Sequence, residues 1–419
     1  MPQRLCVLSR RWEHVWKFSA SLDFELSFED YLYLTCSRRL TKEKDQEYRR
    51  FIGWVDSVIG KHRAPTITRF RVCFGLNRHC LSFFVDRWIE FAMNKRVQIL
   101  ELTDHSNMYS FPQKLLGLEK ESDLKLKRLD FADTPGYSTG FKFLRVLCFD
   151  YVHVTQEVLE HFLYNCPVLE RLTVWSTNSL VGLRVSGPSI TLKYLELIEC
   201  GLRSVQICDT NLVSLTISQD AEISLLLNNV PSLVEISYDT SRSMDLPQFL
   251  TQISCCPQLE KLKLKLVVDH DPCLVFPNFA KLKHLKLEVD EGRSMGFQNA
   301  MCFLYASPYL EKLVLEMDRY APHEYYMYTG NITEVAHRPH YHLKVVEIKE
   351  YSGGPCAKYV TYLINNAVAL EKIVIKPVHH RASPGERNEW SEKETARARN
   401  HAMQLLKGKA PSSIEFVCM

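Results

Sequence analysis

Apolar positions fall into a short pattern that returns along most of this chain. Leu259-Glu-Lys-Leu262-Lys-Leu264 places apolar residues first, fourth and sixth, with charged residues between. The spacing recurs at Val97–Leu102, Leu126–Phe131, Leu144–Phe149, Leu169–Val174, Leu192–Leu197, Leu212–Ile217, Leu233–Tyr238, Leu282–Leu287, Leu310–Leu315, Leu343–Ile348 and Leu370–Ile375. The last three residues of most copies alternate apolar, polar, apolar, the period of a strand with one buried face. Fourth-position residues from Leu147 to Leu313 are 20 to 28 residues apart. Two further copies, Leu180–Val185 and Leu202–Ile207, sit at half that spacing, where a short turn is expected in place of a helix.

The segments between copies read as helices with a fixed stop. Val158, Leu159, Phe162 and Leu163 lie on one helical face, and Cys166-Pro167 ends the run because proline cannot continue a helix. Cys256-Pro257, Ser307-Pro308 and Val230-Pro231 repeat the punctuation. Helices are also expected at Glu47–Ile59, near Lys358–Asn366 and from about Ser391 to Lys407. A strand-containing unit repeated every 20 to 29 residues or so is the signature of leucine-rich repeats, in which each unit buries its apolar face only against its neighbours. The fold class predicted is α/β, a horseshoe-like leucine-rich-repeat solenoid with irregular repeats.

The ends carry a resemblance. Cys6-Val7-Leu8-Ser9-Arg10-Arg11-Trp12, with Trp16 and Leu22-Asp23-Phe24 after it, resembles the C-terminal end of a plant F-box. Tyr341–Ile348, Ala367–Ile375 and Ala398–Pro411 resemble the FBD region that closes many plant F-box proteins with leucine-rich repeats. The resemblance implies a substrate-recognition subunit of an SCF-type ubiquitin ligase, partnered by a Skp adaptor and cullin complex and by an unknown protein substrate. It implies an adaptor-binding role for Leu8, Trp12 and Trp16 through apolar burial. The sequence departs from the family in lacking the Leu-Pro opening and the middle helices, so it starts as a partial F-box helix, and a lone helix of about 12–15 residues is marginal by itself. An incomplete gene product and a divergent protein that has lost adaptor binding both fit. The domains expected are an F-box remnant (1–24), a linking α/β segment with a first repeat (25–95), repeats (96–335) and an FBD-like cap (336–419).

Composition narrows the function. There are 52 basic and 49 acidic residues, a balance that argues against nucleic-acid binding through bulk charge. No apolar run reaches the roughly 18–20 residues that span a bilayer, and no signal peptide is read at the start, so no membrane partner is expected. The 14 cysteines are scattered without a C-x-x-C pair, which points to reduced thiols in the cytoplasm or nucleus. No phosphate-binding glycine loop or nucleophile elbow occurs, and His323-Glu324 lacks the second histidine of a zinc protease motif. His337, His340 and His342 have metal-like spacing but read as a solvated loop, as do His379 and His380. No cofactor, metal or enzymatic activity is expected. An adaptor-independent scaffold is the alternative, with Trp12 and Trp16 folded onto the first repeat. A substrate would meet the outward strand positions, among which Lys261, Lys263 and Lys286 form either a basic stripe for an acidic partner or ordinary solvated surface.

Overall fold

The computed structural model describes residues 16–26, 41–75, 82–118, 141–220, 223–240, 246–266, 276–290, 294–318, 338–378 and 389–419. The chain divides into two compact units, Met1–Leu212 and Val213–Met419.

In the first unit, strands β1 (Ser21–Glu25), β2 (Arg69–Phe74), β3 (Ile99–Asp104), β4 (Val146–Asp150), β5 (Arg171–Trp175) and β7 (Tyr194–Ile198) pair in that order, every pair parallel. Their register stacks Leu22, Phe70, Leu100, Leu147, Leu172 and Leu195 in one column. All six are buried, so a face that no single repeat covers becomes a continuous core. Helices α1 (Thr41–Lys61), α2 (Ser82–Asn94) and α3 (Gln156–Asn165) form the return segments. Phe162 of α3 sits among Phe111, Phe141 and Phe149, at ring-centroid distances of 5.6, 5.2 and 6.1 Å.

The half-spaced copies have a separate explanation. β6 (Gly182–Ser186) and β8 (Ser204–Cys208) pair with each other in a small parallel sheet and stay out of the main one. The turn expected there is therefore a strand, because coils of 20 to 23 residues leave too few for a helix. In the second unit, β10 (Ser224–Asn228) is the same kind of short return strand. Val230-Pro231 accordingly follows a strand and not a helix.

The second unit pairs β9 (Ser214–Gln219), β11 (Glu235–Thr240), β12 (Lys261–Leu266), β13 (His284–Asp290), β14 (Lys312–Asp318), β15 (Val345–Tyr351), β16 (Lys372–Pro377) and β17 (Glu415–Cys418), again all parallel. Helices α4 (Leu246–Ile253), α5 (Ser294–Ala306), α6 (Gly354–Asn366) and α7 (Glu389–His401) return between strands, and Ala402–Leu406 extends α7 as a widened turn. The α/β leucine-rich-repeat fold read from the sequence is the fold observed, and each unit stacks its repeats as a solenoid. Eleven of the twelve copies are strands of the main sheets; the copy at Leu126–Phe131 lies outside the described residues. The stack also includes β1, in the stretch read as a remnant (1–24), and β2, in the stretch read as a linking segment with a first repeat (25–95).

The helix stops work as turns. The N–H of Leu169 donates to Cys166 O (3.1 Å), Leu259 to Cys256 O (3.2 Å) and Leu310 to Ser307 O (3.1 Å). Proline in the second position presets the φ that such a turn needs. The opposite strand ends close through left-handed residues, Tyr151, Ser176 and Glu199, at φ of 55°, 51° and 52°. Each is followed by a buried Val152, Thr177 or Cys200. Thr177 Oγ1 accepts the Val154 N–H at 3.3 Å, and the Cys200 thiol donates to Val174 O at 3.2 Å.

Phe162→Ala should destabilise the chain by about 3–5 kcal/mol, the range for emptying a buried aromatic site. Urea denaturation measures this, and a loss below about 1 kcal/mol would show that the ring cluster does not hold α3.

Candidate functional site

Strand alternation exposes one row of side chains for every row it buries, and these rows form the open strand face of each unit. In the first unit the face begins as an ion-pair lattice. Arg71 meets Asp23 and Glu25, each at 2.9 Å, and Arg69 meets Glu101 at 2.6 Å. Towards β7 the lattice gives way to aromatic side chains. Arg171 stacks on Tyr194, 4.1 Å from its ring centroid, Trp175 is 44% exposed, and Tyr151 beside it is 43% exposed. Trp175 and Tyr151 were not singled out from the sequence. Trp175 sits one place beyond the Leu-x-Val core, an outward position by period two, and that was the available signal.

In the second unit the structure brings Lys261, Lys263 and Lys286 onto one face. Lys263 and Lys286 are direct register neighbours on β12 and β13, and Lys261 lies opposite His284. Lys286 is thus one repeat along from Lys263. The lysines are interleaved with carboxylates: Lys286 reaches Glu316 at 2.6 Å, Lys349 reaches Glu316 at 3.7 Å, and Lys261 reaches Glu235 at 3.9 Å. Lys376 and Lys312 hold Glu347 at 2.8 and 3.6 Å, and Lys265 holds Glu288 at 2.8 Å. Partial burial works against the charges of Glu316 and Glu347, but their lysines outweigh it and hold both carboxyls below the usual 4.5.

Of the adaptor candidates, Leu8 and Trp12 lie outside the described residues. Trp16 is half-buried just ahead of β1, and its indole N–H is buried and makes no hydrogen bond among the described residues. The turn that follows is tied to the end of α1: Lys17 O accepts from Arg63 N–H at 2.7 Å, and His62 Nε2 lies 2.9 Å from Ser19 O.

His340 does not belong to a solvated loop. Its ring stacks on Tyr305 at 5.8 Å, with Nε2 3.3 Å from Tyr362 Oη, and burial pulls its pKa down to about 4. His342 packs beside Tyr309 at 5.0 Å, while His337, His379, His380 and His323 lie outside the described residues. Among the described residues no group of three His, Cys, Asp or Glu side chains could hold a metal ion. The described cysteines are all free thiols, and burial pushes Cys148, Cys166 and Cys200 up to about 12. A thiol that stays protonated at neutral pH is a poor nucleophile. What the open strand faces present is ionic and aromatic side chains on a parallel frame.

Residues 58–417 match the family described as At1g61320/AtMIF1, LRR domain. A putative F-box/FBD/LRR-repeat protein of Arabidopsis thaliana, At1g66300, is 24% identical over 412 residues, covering 88% of this chain and 82% of that relative. The F-box/FBD/LRR-repeat protein At1g78750 of the same plant is 25% identical over 410 residues, covering 88% and 83%. A third relative there, the putative F-box/LRR-repeat protein At5g02700, is 30% identical over 179 residues. That match covers 42% of this chain and only 34% of the relative's length.

The titrating groups predict two pH windows. His340 has a lowered folded-state pKa, so its neutral form contributes stability that is present above 6.5 and lost as pH falls from 6.5 towards 4. Glu316 and Glu347 contribute stability above 4.5 that is lost as pH falls through their depressed values. His340→Phe should flatten the stability curve in the first window, and the pair Glu316→Gln with Glu347→Gln in the second. Urea midpoints measured from pH 7 to pH 3.5 test both; unchanged slopes would contradict the packing described.

Proposed function

Because the chain belongs to the At1g61320/AtMIF1 leucine-rich-repeat domain family, we propose that it is the substrate-recognition subunit of an SCF-type ubiquitin ligase. The repeats hold a protein substrate and the F-box holds the Skp adaptor, with the cullin complex beyond it. The observation that carries this reading is the pair of relatives named F-box/FBD/LRR-repeat proteins, each aligned over 88% of the chain. The F-box-like residues Cys6–Trp12 support it. So do the FBD-like stretches, whose residues build β15, β16 and the end of α7. The role is one of binding without catalysis, in the cytoplasm or nucleus, where thiols stay reduced.

Leu8 and Trp12 supply apolar burial against the adaptor, the anchor chemistry favoured at interfaces. The strand faces supply the substrate contacts, with Lys261, Lys263 and Lys286 as candidates on the second unit. One observation favours an adaptor-independent scaffold as the second reading. The buried indole N–H of Trp16 is that of a ring already committed to its own chain.

The test is co-precipitation with a recombinant plant Skp-type adaptor, using this chain with the earlier F-box helices joined ahead of Met1. Retention of the adaptor is expected, with Trp12→Ala lowering it at least about tenfold, the scale of one anchor residue. Failure of the extended chain to retain the adaptor would leave the scaffold reading.

A further inference from the structure

A cleft of about 500 Å³ opens on the first unit, at the ends where β4, β5 and β7 begin. Its apolar wall comes from two successive turns. Phe143 precedes Leu144 and is 47% exposed; Pro167 and Val168 precede Leu169, and Val168 is 40% exposed. Single exposed apolar side chains are ordinary, but two from adjacent repeats facing one concavity make a surface that gains by being covered.

The charges of the cleft do not balance. Arg145 meets Glu170 at 2.8 Å and Lys193 approaches the same oxygen at 3.7 Å, so one carboxylate serves two cations. Arg96 lies over the Phe143 ring at 5.6 Å and adds a third positive group at the rim. The excess can be traced to the residue that precedes each strand. In the second unit those positions read Val213, Val234, Glu260, Lys283, Glu311, Lys344, Glu371 and Ile414, alternating in sign from Glu260 to Glu371. In the first unit they read Ala20, Thr68, Gln98, Arg145, Glu170 and Lys193. Gln98 lines the cleft and brings no carboxylate to it, so Glu170 is the one acid among the lining residues. Arg145 has five donors and its ion pair with Glu170 does not use them all.

We propose that this cleft is a second binding site, filled by a partner polypeptide segment carrying an Asp or Glu within two residues of a branched aliphatic or aromatic side chain. The apolar side chain covers Phe143, Pro167 and Val168. The carboxylate lies beside Gln98, accepting from Arg145 and drawing on Lys193. The apolar wall is held in place, because the Thr191 hydroxyl lies 3.0 Å from both Pro167 O and Leu169 O and pins the turn that carries Val168. A cleft of this size accepts two or three side chains. The site is independent of the adaptor and of the strand-face lysines.

The experiment pans a random linear peptide display library on the full chain and measures the enriched sequence as a labelled synthetic peptide by fluorescence anisotropy. Enriched peptides should carry the acidic–apolar pair. Lys193→Ala and Val168→Asp should each weaken the peptide by about tenfold or more, roughly the weight of one good contact. Glu→Gln or Asp→Asn in the peptide should do the same, and Lys263→Ala should leave affinity unchanged. Both protein positions are solvent-facing, and a circular dichroism melt confirms that each variant is folded. No enrichment, enriched peptides without the pair, or affinity that follows Lys263 while ignoring Lys193 and Val168 would overturn the site. The assay uses neither the adaptor nor any F-box residue, so a failed ligase reading leaves its outcome untouched.

Discussion

Within each unit, most described repeats are set in register by a single backbone oxygen. Arg145 O accepts N–H groups from Glu170 (2.8 Å) and Arg171 (3.0 Å), and Glu170 O then accepts from Lys193 and Tyr194. The same fork runs through the second unit, from Val213 O to Lys344 O. Two donors on one carbonyl fix both where the next strand begins and which of its residues face inward. A slip of one residue would send every leucine outward and every lysine into the core. The buried columns, the ion-pair lattice and the charge row beside the cleft all inherit their order from that fork.

The repeat was legible because its physics is local. Three apolar positions in six residues, followed at a distance by a proline stop, survive in the sequence wherever leucine fills the first position. They fade where it does not. β2 reads Arg-Phe-Arg-Val-Cys-Phe and packs Phe70 where other repeats put leucine, so a leucine template passes over it. β17 uses Phe416 and Cys418, and β1 is a bare Ser-Leu-Asp-Phe-Glu. Short return strands such as β10 were missed because period two without a leading leucine resembles many extended loops. Helix α4 was implied by its Cys256-Pro257 stop more than by its own eight residues.

The candidate site was half legible for the same reason. Period two places Lys261, Lys263 and Lys286 outward with no knowledge of the fold. Their carboxylate partners are not local: Glu316 meets a lysine 30 residues before it and another 33 after it, a relation that exists only once the coils are stacked. Stacking also turns what looked like a basic stripe into a lattice of mixed sign. In such a lattice each charge is screened by its neighbours, so ionic pairs set orientation while aromatic patches such as Trp175 supply contact area. His340 was read as a loop residue because nothing nearby in sequence announces Tyr305, which comes from helix α5.

The cysteines built into the turns and strand ends tie the chemistry of the chain to its folding. Cys166, Cys200 and Cys256 are buried, and Cys255 is the exposed one among the described ten. A buried thiol with a raised pKa is sheltered twice, from oxidants by packing and from ionisation by its apolar surroundings. That shelter lasts only as long as the coil stays closed. Opening a turn releases thiols with ordinary reactivity, so oxidation would proceed at the pace of local unfolding, and a molecule caught open would be crosslinked before it could re-stack. For this fold, the redox state of the surroundings acts as a clock on how long each repeat may remain apart from its neighbour.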